Sequence, residues 1–233
     1  MKISLLSIMI FISSLALAQN DTKSLQLTNE QVAETFTAEV KFSFGIAYPI
    51  FRAYQYQDKK GEHIILFTEK LAAPNKSQPH NQAIKAFIFE AKDKHPVKLS
   101  KTIEGYRSDE ANTASEEQSI WFWTKYLSLT DLDKDSLVDP IIVYGTSGLN
   151  QHQDGRIKIV VIHQDTTVMI HHQNGTLDSQ RNTKIDREFY ELPAPIQSKV
   201  ISIMNTLVAN GHAIFPSGWE TAIQNKATTF DEN

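Results

Sequence analysis

Ser119 to Gly148 reads SIWFWTKYLSLTDLDKDSLVDPIIVYGTSG, and the rest of the chain is built around this stretch. Two strongly apolar arms, 120–129 and 138–144, flank the acidic turn from Asp131 to Asp139. Asp131, Asp133, Asp135 and Asp139 stand at relative positions 1, 3, 5 and 9, offering the hard oxygen ligands that Ca2+ takes. The main-chain carbonyl of Leu137, at position 7, completes the set. The pattern predicts a strand, a calcium loop and a strand. An EF-hand is excluded, because position 12 is Ile142 where a bidentate glutamate is required. The plainer alternative is a solvated acidic turn, but four carboxylates so close together repel one another unless a cation intervenes. Position 6 is Ser136 rather than glycine, so the tight turn is expected to strain the backbone.

The amino terminus predicts export. Met1-Lys2 gives a positive start, Ile3 to Leu15 an apolar run, and Ala16-Leu17-Ala18 a small-residue cleavage signal. The run is shorter than the roughly 20 residues that span a bilayer, which argues against an anchor. Cleavage after Ala18 leaves about 215 of the 233 residues, enough for one domain with a real core. Residues 1–18 are thus a signal peptide, and the expected location is periplasmic or secreted, with no stable membrane anchor afterwards. The formal charge of −4 becomes −5 when Lys2 is lost, so nucleic acid and anionic lipid are not evident partners. There are no cysteines, so neither a disulfide nor a lipid on cysteine holds the chain. Packing has to do so, aided by a bound ion if one is present.

From the central stretch outward, the dominant signal is the hairpin. Residues 49–57 and 62–69 pair across Asp58-Lys-Lys-Gly61, and residues 85–91 and 97–106 pair across Lys92 to Pro96. Residues 156–163 and 166–173 form another hairpin, read as closed by Asn174-Gly175, a dipeptide suited to positive φ. Thr28 or Asn29 caps a short helix reaching about Phe36, and the alternation of residues 40–44 reads as a strand. Pro195 to Ala209 sets Ile196, Val200, Ile203, Met204, Leu207 and Val208 on one stripe at helical spacing, stopped by Asn210-Gly211. The fold class is α+β and β-rich: an antiparallel sheet or sandwich of successive hairpins with a carboxyl-terminal helix packed on it. A lead-in with its short helix fills residues 19–39, the domain runs over residues 40–222, and residues 223–233 are expected to be a disordered tail.

Other chemistry is sparse. Trp121 and Trp123 share one face of a strand, either as a sugar-stacking or partner-binding platform or, in the commoner case, as core. His171 and His172 are adjacent on a strand and point to opposite faces, which suits no shared metal. No His-x-x-x-His pair, nucleophile elbow, P-loop or dinucleotide fingerprint occurs. The charged stretch Asp178 to Glu188 is compatible with general acid–base carboxylates and equally with surface ion pairs.

The aspartate loop resembles the D-x-D-x-D-G-x-x-D calcium loops set between strands in integrin-like (FG-GAP) propeller repeats, over about nine residues. The order of features in the carboxyl half is similar to small exported bacterial envelope proteins catalogued under surface-polysaccharide biosynthesis. Those features are the tryptophan strand, the aspartate loop, Ile141-Ile-Val-Tyr-Gly-Thr-Ser-Gly148, His171 to Asp178, the helix and Ala213 to Trp219. A more distant likeness is to calcium-loop envelope proteins with a lysozyme-inhibitor-type β fold. These resemblances imply a non-catalytic calcium protein of the envelope that binds a polysaccharide or a cell-wall-active enzyme. The alternative is an enzyme of surface glycan biosynthesis or hydrolysis using carboxylates near the loop. No catalytic residue is implied by either.

Overall fold

The computed structural model describes residues 24–72, 80–108 and 117–232; the signal peptide expected over residues 1–18 lies outside them. Strand β1 (Leu25–Gln26) is followed by helices α1 (Asn29–Thr35) and α2 (Ala38–Ser43). Then come β2 (Ile50–Asp58), β3 (Gly61–Leu71), β4 (Asn81–Lys92) and β5 (His95–Tyr106), which with β1 form an antiparallel sheet in sequence order. The second sheet takes β6 (Ser119–Phe122), β7 (Ser128–Thr130), β8 (Asp139–Ser147), β9 (Arg156–His163) and β10 (Thr166–Gln173). It is completed by β11 (Asn182–Ile185) and, after α3 (Ala194–Ala209) and α4 (Trp219–Gln224), by β12 (Thr229–Asp231). Its order is β12-β11-β10-β9-β8-β6, with β7 also paired to β8.

The two sheets face one another, and the alternation of side chains decides which residues meet. Tyr56, Ile65, Phe67, Ile84 and Ile103 of the first sheet pack against Phe122, Ile142, Tyr144, Val160 and Ile162 of the second. Residues of opposite parity leave the sandwich on either side. Ile64, Leu66, Phe87 and Phe89 meet the α1–α2 segment, while Ile141, Val143, Ile159 and Val161 meet α3 through Ile196, Val200, Met204 and Leu207. The molecule is therefore four layers, helix, sheet, sheet and helix. That is why β3, β4, β8 and β9 carry continuous apolar runs rather than strict alternation: both of their faces are covered. A fully buried residue of this kind, such as Ile142, contributes roughly 2 kcal/mol through the area it removes from water. At the sheet edge, β5 presents Pro96, Lys98 and Lys101, residues that discourage pairing with another chain.

The structure departs from the sequence reading in several places. The expected strand over residues 40–44 is helix α2, whose start is set by the Thr37 hydroxyl accepting from the Val40 N–H at 3.4 Å. Five alternating residues cannot outweigh a cap. The tail expected to be disordered instead supplies β12, which pairs Asn182–Lys184 through Asp231–Thr229, with Phe230 packed on the α3-side core. Asn174-Gly175 does not close the β9–β10 hairpin: the turn is Gln164-Asp165, with Gln164 at φ 53°. Gly175 is needed for space instead, since a Cβ there would come within 2.3 Å of the Gln180 Cβ. The arm 120–129 is not one strand either. Residues Thr124–Tyr126 form a 3-10 turn between β6 and β7, which sends Tyr126 to the helix side and Leu129 between the sheets. On α3 the apolar stripe is as read except at Val208, which is 43% exposed.

Candidate functional site

The aspartate loop leaves β7 at Thr130 and enters β8 at Asp139, so two paired strands fix both of its ends. Within it the backbone turns through two left-handed residues, Lys134 at φ 65° and Ser136 at φ 72°. Ser136 is the position where the resembled loops have glycine, and a side chain there costs backbone energy. Aspartate side chains hold the turns. Asp133 Oδ1 accepts from the Asp135 N–H at 3.2 Å, Asp135 Oδ1 from Leu137 at 2.8 Å, and Asp131 Oδ2 from Ser136 at 3.0 Å. A second hairpin braces the loop from outside. The Lys59 N–H donates to the Ser136 carbonyl at 2.9 Å, and Asp58 Oδ2 accepts from Val138 at 3.3 Å. Asp58 in turn accepts from His63 Nε2 at 3.0 Å.

The five residues expected to hold an ion are not placed alike. One carboxylate oxygen each from Asp131, Asp133 and Asp139 lies within 4.8 Å of the others. Asp135 is directed elsewhere: its second oxygen accepts from Gln164 Nε2 at 3.2 Å. The Leu137 residue follows the two left-handed positions, in the bend that leads back to β8. Asp139 is 1% exposed and takes two donors, the Leu132 N–H at 2.9 Å and His163 Nδ1 at 2.9 Å. Burial raises its carboxyl above the ordinary aspartate value, and the charge of Asp133 adds to that, while His163 and the Leu132 amide pull the other way. The other ring nitrogen of His163 lies 3.8 Å from Asp133 Oδ2. His163 was not legible as part of this site, since it lies a hairpin away in sequence; register alone places it beside Asp139.

The tryptophans part company. Trp123 is 6% exposed and belongs to the core beneath α3, whereas Trp121 is half-buried at its rim, with ring centroids 5.9 Å apart. Around them gather His152, from a 3-10 turn at His152–Asp154, and His212, just past α3, their rings 4.6 Å apart. The Tyr126 hydroxyl accepts from Asn210 Nδ2 at 2.9 Å and meets His212 Nδ1 at 2.8 Å. Burial lowers the imidazole pKa of His152, and of His212 together with the neighbouring His152. Asn174 ties the cluster down, donating to the carbonyls of His152 at 2.6 Å and His212 at 2.8 Å. These residues are spread over ninety positions of sequence, with no spacing rule to connect them. The charged stretch resolves into local partners: Asp178 pairs Arg181 at 2.8 Å, and Asp186 Oδ2 accepts from Met169 at 2.8 Å.

Comparison with known proteins finds no matching family model, no matching curated protein and no matching solved structure. The resemblances in the aspartate loop and the carboxyl half therefore stand on their own residues. Among the described residues, no helix is long and apolar enough to cross a membrane.

Proposed function

We propose that this chain is an exported, non-catalytic calcium-binding protein of the cell envelope that binds a surface polysaccharide or a wall-active enzyme. The observation that carries the calcium reading is the convergence of Asp131, Asp133 and Asp139, whose oxygens lie within 4.8 Å of one another. Two oxygens on one Ca2+ at 2.3–2.6 Å are at most about 5.2 Å apart, so the three fit one coordination sphere with modest adjustment. The raised carboxyl of Asp139 supports the same reading, because a divalent cation offsets the repulsion and burial that it otherwise bears. Asp135 serves as a brace of the turn rather than a ligand, and the remaining positions fall to the Leu137 carbonyl and water.

The test is a calcium titration followed by thermal melting. Calcium at a hundredfold over its dissociation constant adds about 2.7 kcal/mol of stability, and EDTA removes it. The Asp133→Ala protein keeps its apo stability to within about 1 kcal/mol and loses the gain, because Asp133 is half-buried and the amide it accepts from, that of Asp135, is local. A wild-type melting curve indifferent to both calcium and EDTA refutes the reading.

A further inference from the structure

At the far end of β8, where β5 finishes over the second sheet, a cavity of about 230 Å3 opens between the sheets. Tyr106, Tyr144, Arg156 and Lys158 line it, along with Glu104. The strand registers set Tyr144 opposite Lys158, Lys158 opposite His171, and His171 opposite Lys184. Directly opposed residues share a face of a sheet, so Lys158, His171 and Lys184 form a row across β9, β10 and β11. At a strand spacing of about 4.8 Å, the row is about 10 Å long. Lys158 lines the cavity, and the register sets His171 between it and Lys184, which lines a separate groove.

Such a row sets two ammonium groups on one face of the sheet, on either side of a half-buried imidazole. It is unexpected in a chain of net charge −4. Three acids near the row are engaged elsewhere, while Glu188 and Glu191 line the groove at Lys184 together with Arg187 and Lys226. Glu117 pairs with Arg156, whose Nη2 lies 2.6 Å from Glu117 Oε2. Glu104 pairs with Lys85 at 2.5 Å and accepts from the Tyr106 hydroxyl at 2.8 Å. Asp186 is held by the Met169 amide. Lys158 lies over the Tyr144 ring at 5.9 Å, and among the described residues neither it nor Lys184 makes an ion pair. Burial and neighbouring charge show in the titration of its members. Burial and then Arg156 hold the Lys158 ammonium below its ordinary pKa; burial and then Lys158 do the same to His171.

We propose that this row binds a small oxyanion, the carboxylate of an acidic sugar residue or a phosphate group, with Lys158 and Lys184 as its charge partners and Tyr106 and Tyr144 as the walls. The cavity is smaller than the roughly 300–1,000 Å3 of sites for drug-sized ligands, so it takes one sugar unit or one phosphate. The site lies apart from the aspartate loop and does not rest on the calcium reading.

The test titrates the purified full chain with sodium phosphate, sodium glucuronate and neutral glucose at constant ionic strength, with EDTA present so that calcium plays no part. The readouts are the His171 imidazole resonance and the melting temperature. At least one anion raises both the His171 titration midpoint and the melting temperature, and glucose moves neither; the anion that acts identifies the source. Lys158→Met weakens binding about tenfold or more, the loss of one charge-assisted hydrogen bond. Lys184→Met, at an exposed position where the fold does not depend on the charge, weakens it as well. Indifference of the wild type to both anions overturns the proposal, as do equal responses in the wild type and the two variants.

Discussion

Strand β8 starts on one buried carboxylate and ends beside another, and the two are neutralised by different means. Glu117, 3% exposed, accepts from Thr146 Oγ1 at 2.9 Å and from the Ser108 N–H at 2.5 Å, and forms a two-nitrogen contact with Arg156. Arg156 is always charged and matches a carboxylate with a rigid fork. Asp139, 1% exposed, has instead an amide and an imidazole. An imidazole, unlike a guanidinium, carries no permanent charge, so the Asp139 anion lacks the fixed counter-charge that Glu117 has. The end at Glu117 is closed and structural. The end at Asp139 has no such fixed counter-charge, which is what the proposed cation would supply.

Breaking the closed end should be the costlier change. Arg156→Met leaves Glu117 buried without its counter-charge and is expected to lose about 3–5 kcal/mol, read from urea unfolding. Adding Glu117→Leu to it should recover most of that loss, because an apolar pair of similar volume has no buried charge to solvate. Asp139→Asn in EDTA keeps an oxygen for the Leu132 amide and should cost about 1 kcal/mol. Equal costs at the two ends would remove the contrast.

A third buried titratable group sharpens the comparison, because it is held neutral. His172 is 3% exposed, with Nε2 donating to Asn174 Oδ1 at 2.8 Å and Nδ1 facing the Thr183 hydroxyl at 2.9 Å. Burial brings its pKa down to about 4. The unfolded chain therefore takes a proton near pH 6.5 that the folded chain refuses until about pH 4. Stability is complete above pH 6.5 and falls as pH drops through that window, by about 3 kcal/mol at its foot. His172→Gln should flatten the slope of stability between pH 4 and 6.5; an unaltered slope would place the proton elsewhere.

Much of this was legible in the sequence, and the exceptions have physical causes. The hairpins, the α3 stripe and the α1 cap were readable because each is a local pattern: apolar runs between turn residues, a 3.6-residue period, and a threonine before a glutamine three residues on. Residues 40–44 were not, since a five-residue alternation fits a strand and a short capped helix alike. Strand β12 was missed because Thr229-Phe-Asp231 has no strand signal of its own and depends on the open edge of β11. At the site, the aspartate spacing announced the loop but overstated it. Alternating spacing places Asp135 in the series, yet its side chain turns to Leu137 and Gln164. The partners that tune the loop, His163 and Asp58, come from other hairpins, and only the folded register brings them in. The cationic row was invisible for the same reason, its members being separated by thirteen residues at each step.

Asp139 itself titrates in the opposite sense to His172, and the effect is smaller. Its folded pKa is raised, so the contribution is full below the ordinary aspartate value and is lost as pH rises through the raised one. In EDTA, the wild type should lose ground to Asp139→Asn as pH climbs from 4 towards 7. With calcium the order should invert, because a bound cation favours the ionised carboxylate and the asparagine lacks its charge. Parallel pH curves for the two proteins, with and without calcium, would mean that Asp139 is braced by His163 alone.

The smallest effect is the most local. Ser136 holds φ at 72°, a region where a side chain costs about 1 kcal/mol and glycine costs nothing in contacts. Ser136→Gly keeps the amide that donates to Asp131 and the carbonyl that accepts from Lys59. Glycine also loosens the unfolded chain, which offsets part of the relief, so a net gain of about 0.5 kcal/mol is expected in thermal melting. If the strain is confined to the turn, the gain is the same in EDTA and in calcium. A larger gain in calcium would show instead that the serine holds the three carboxylates slightly apart, and that glycine lets them close on the ion. A loss in either condition would mean that the left-handed serine is not strained at all.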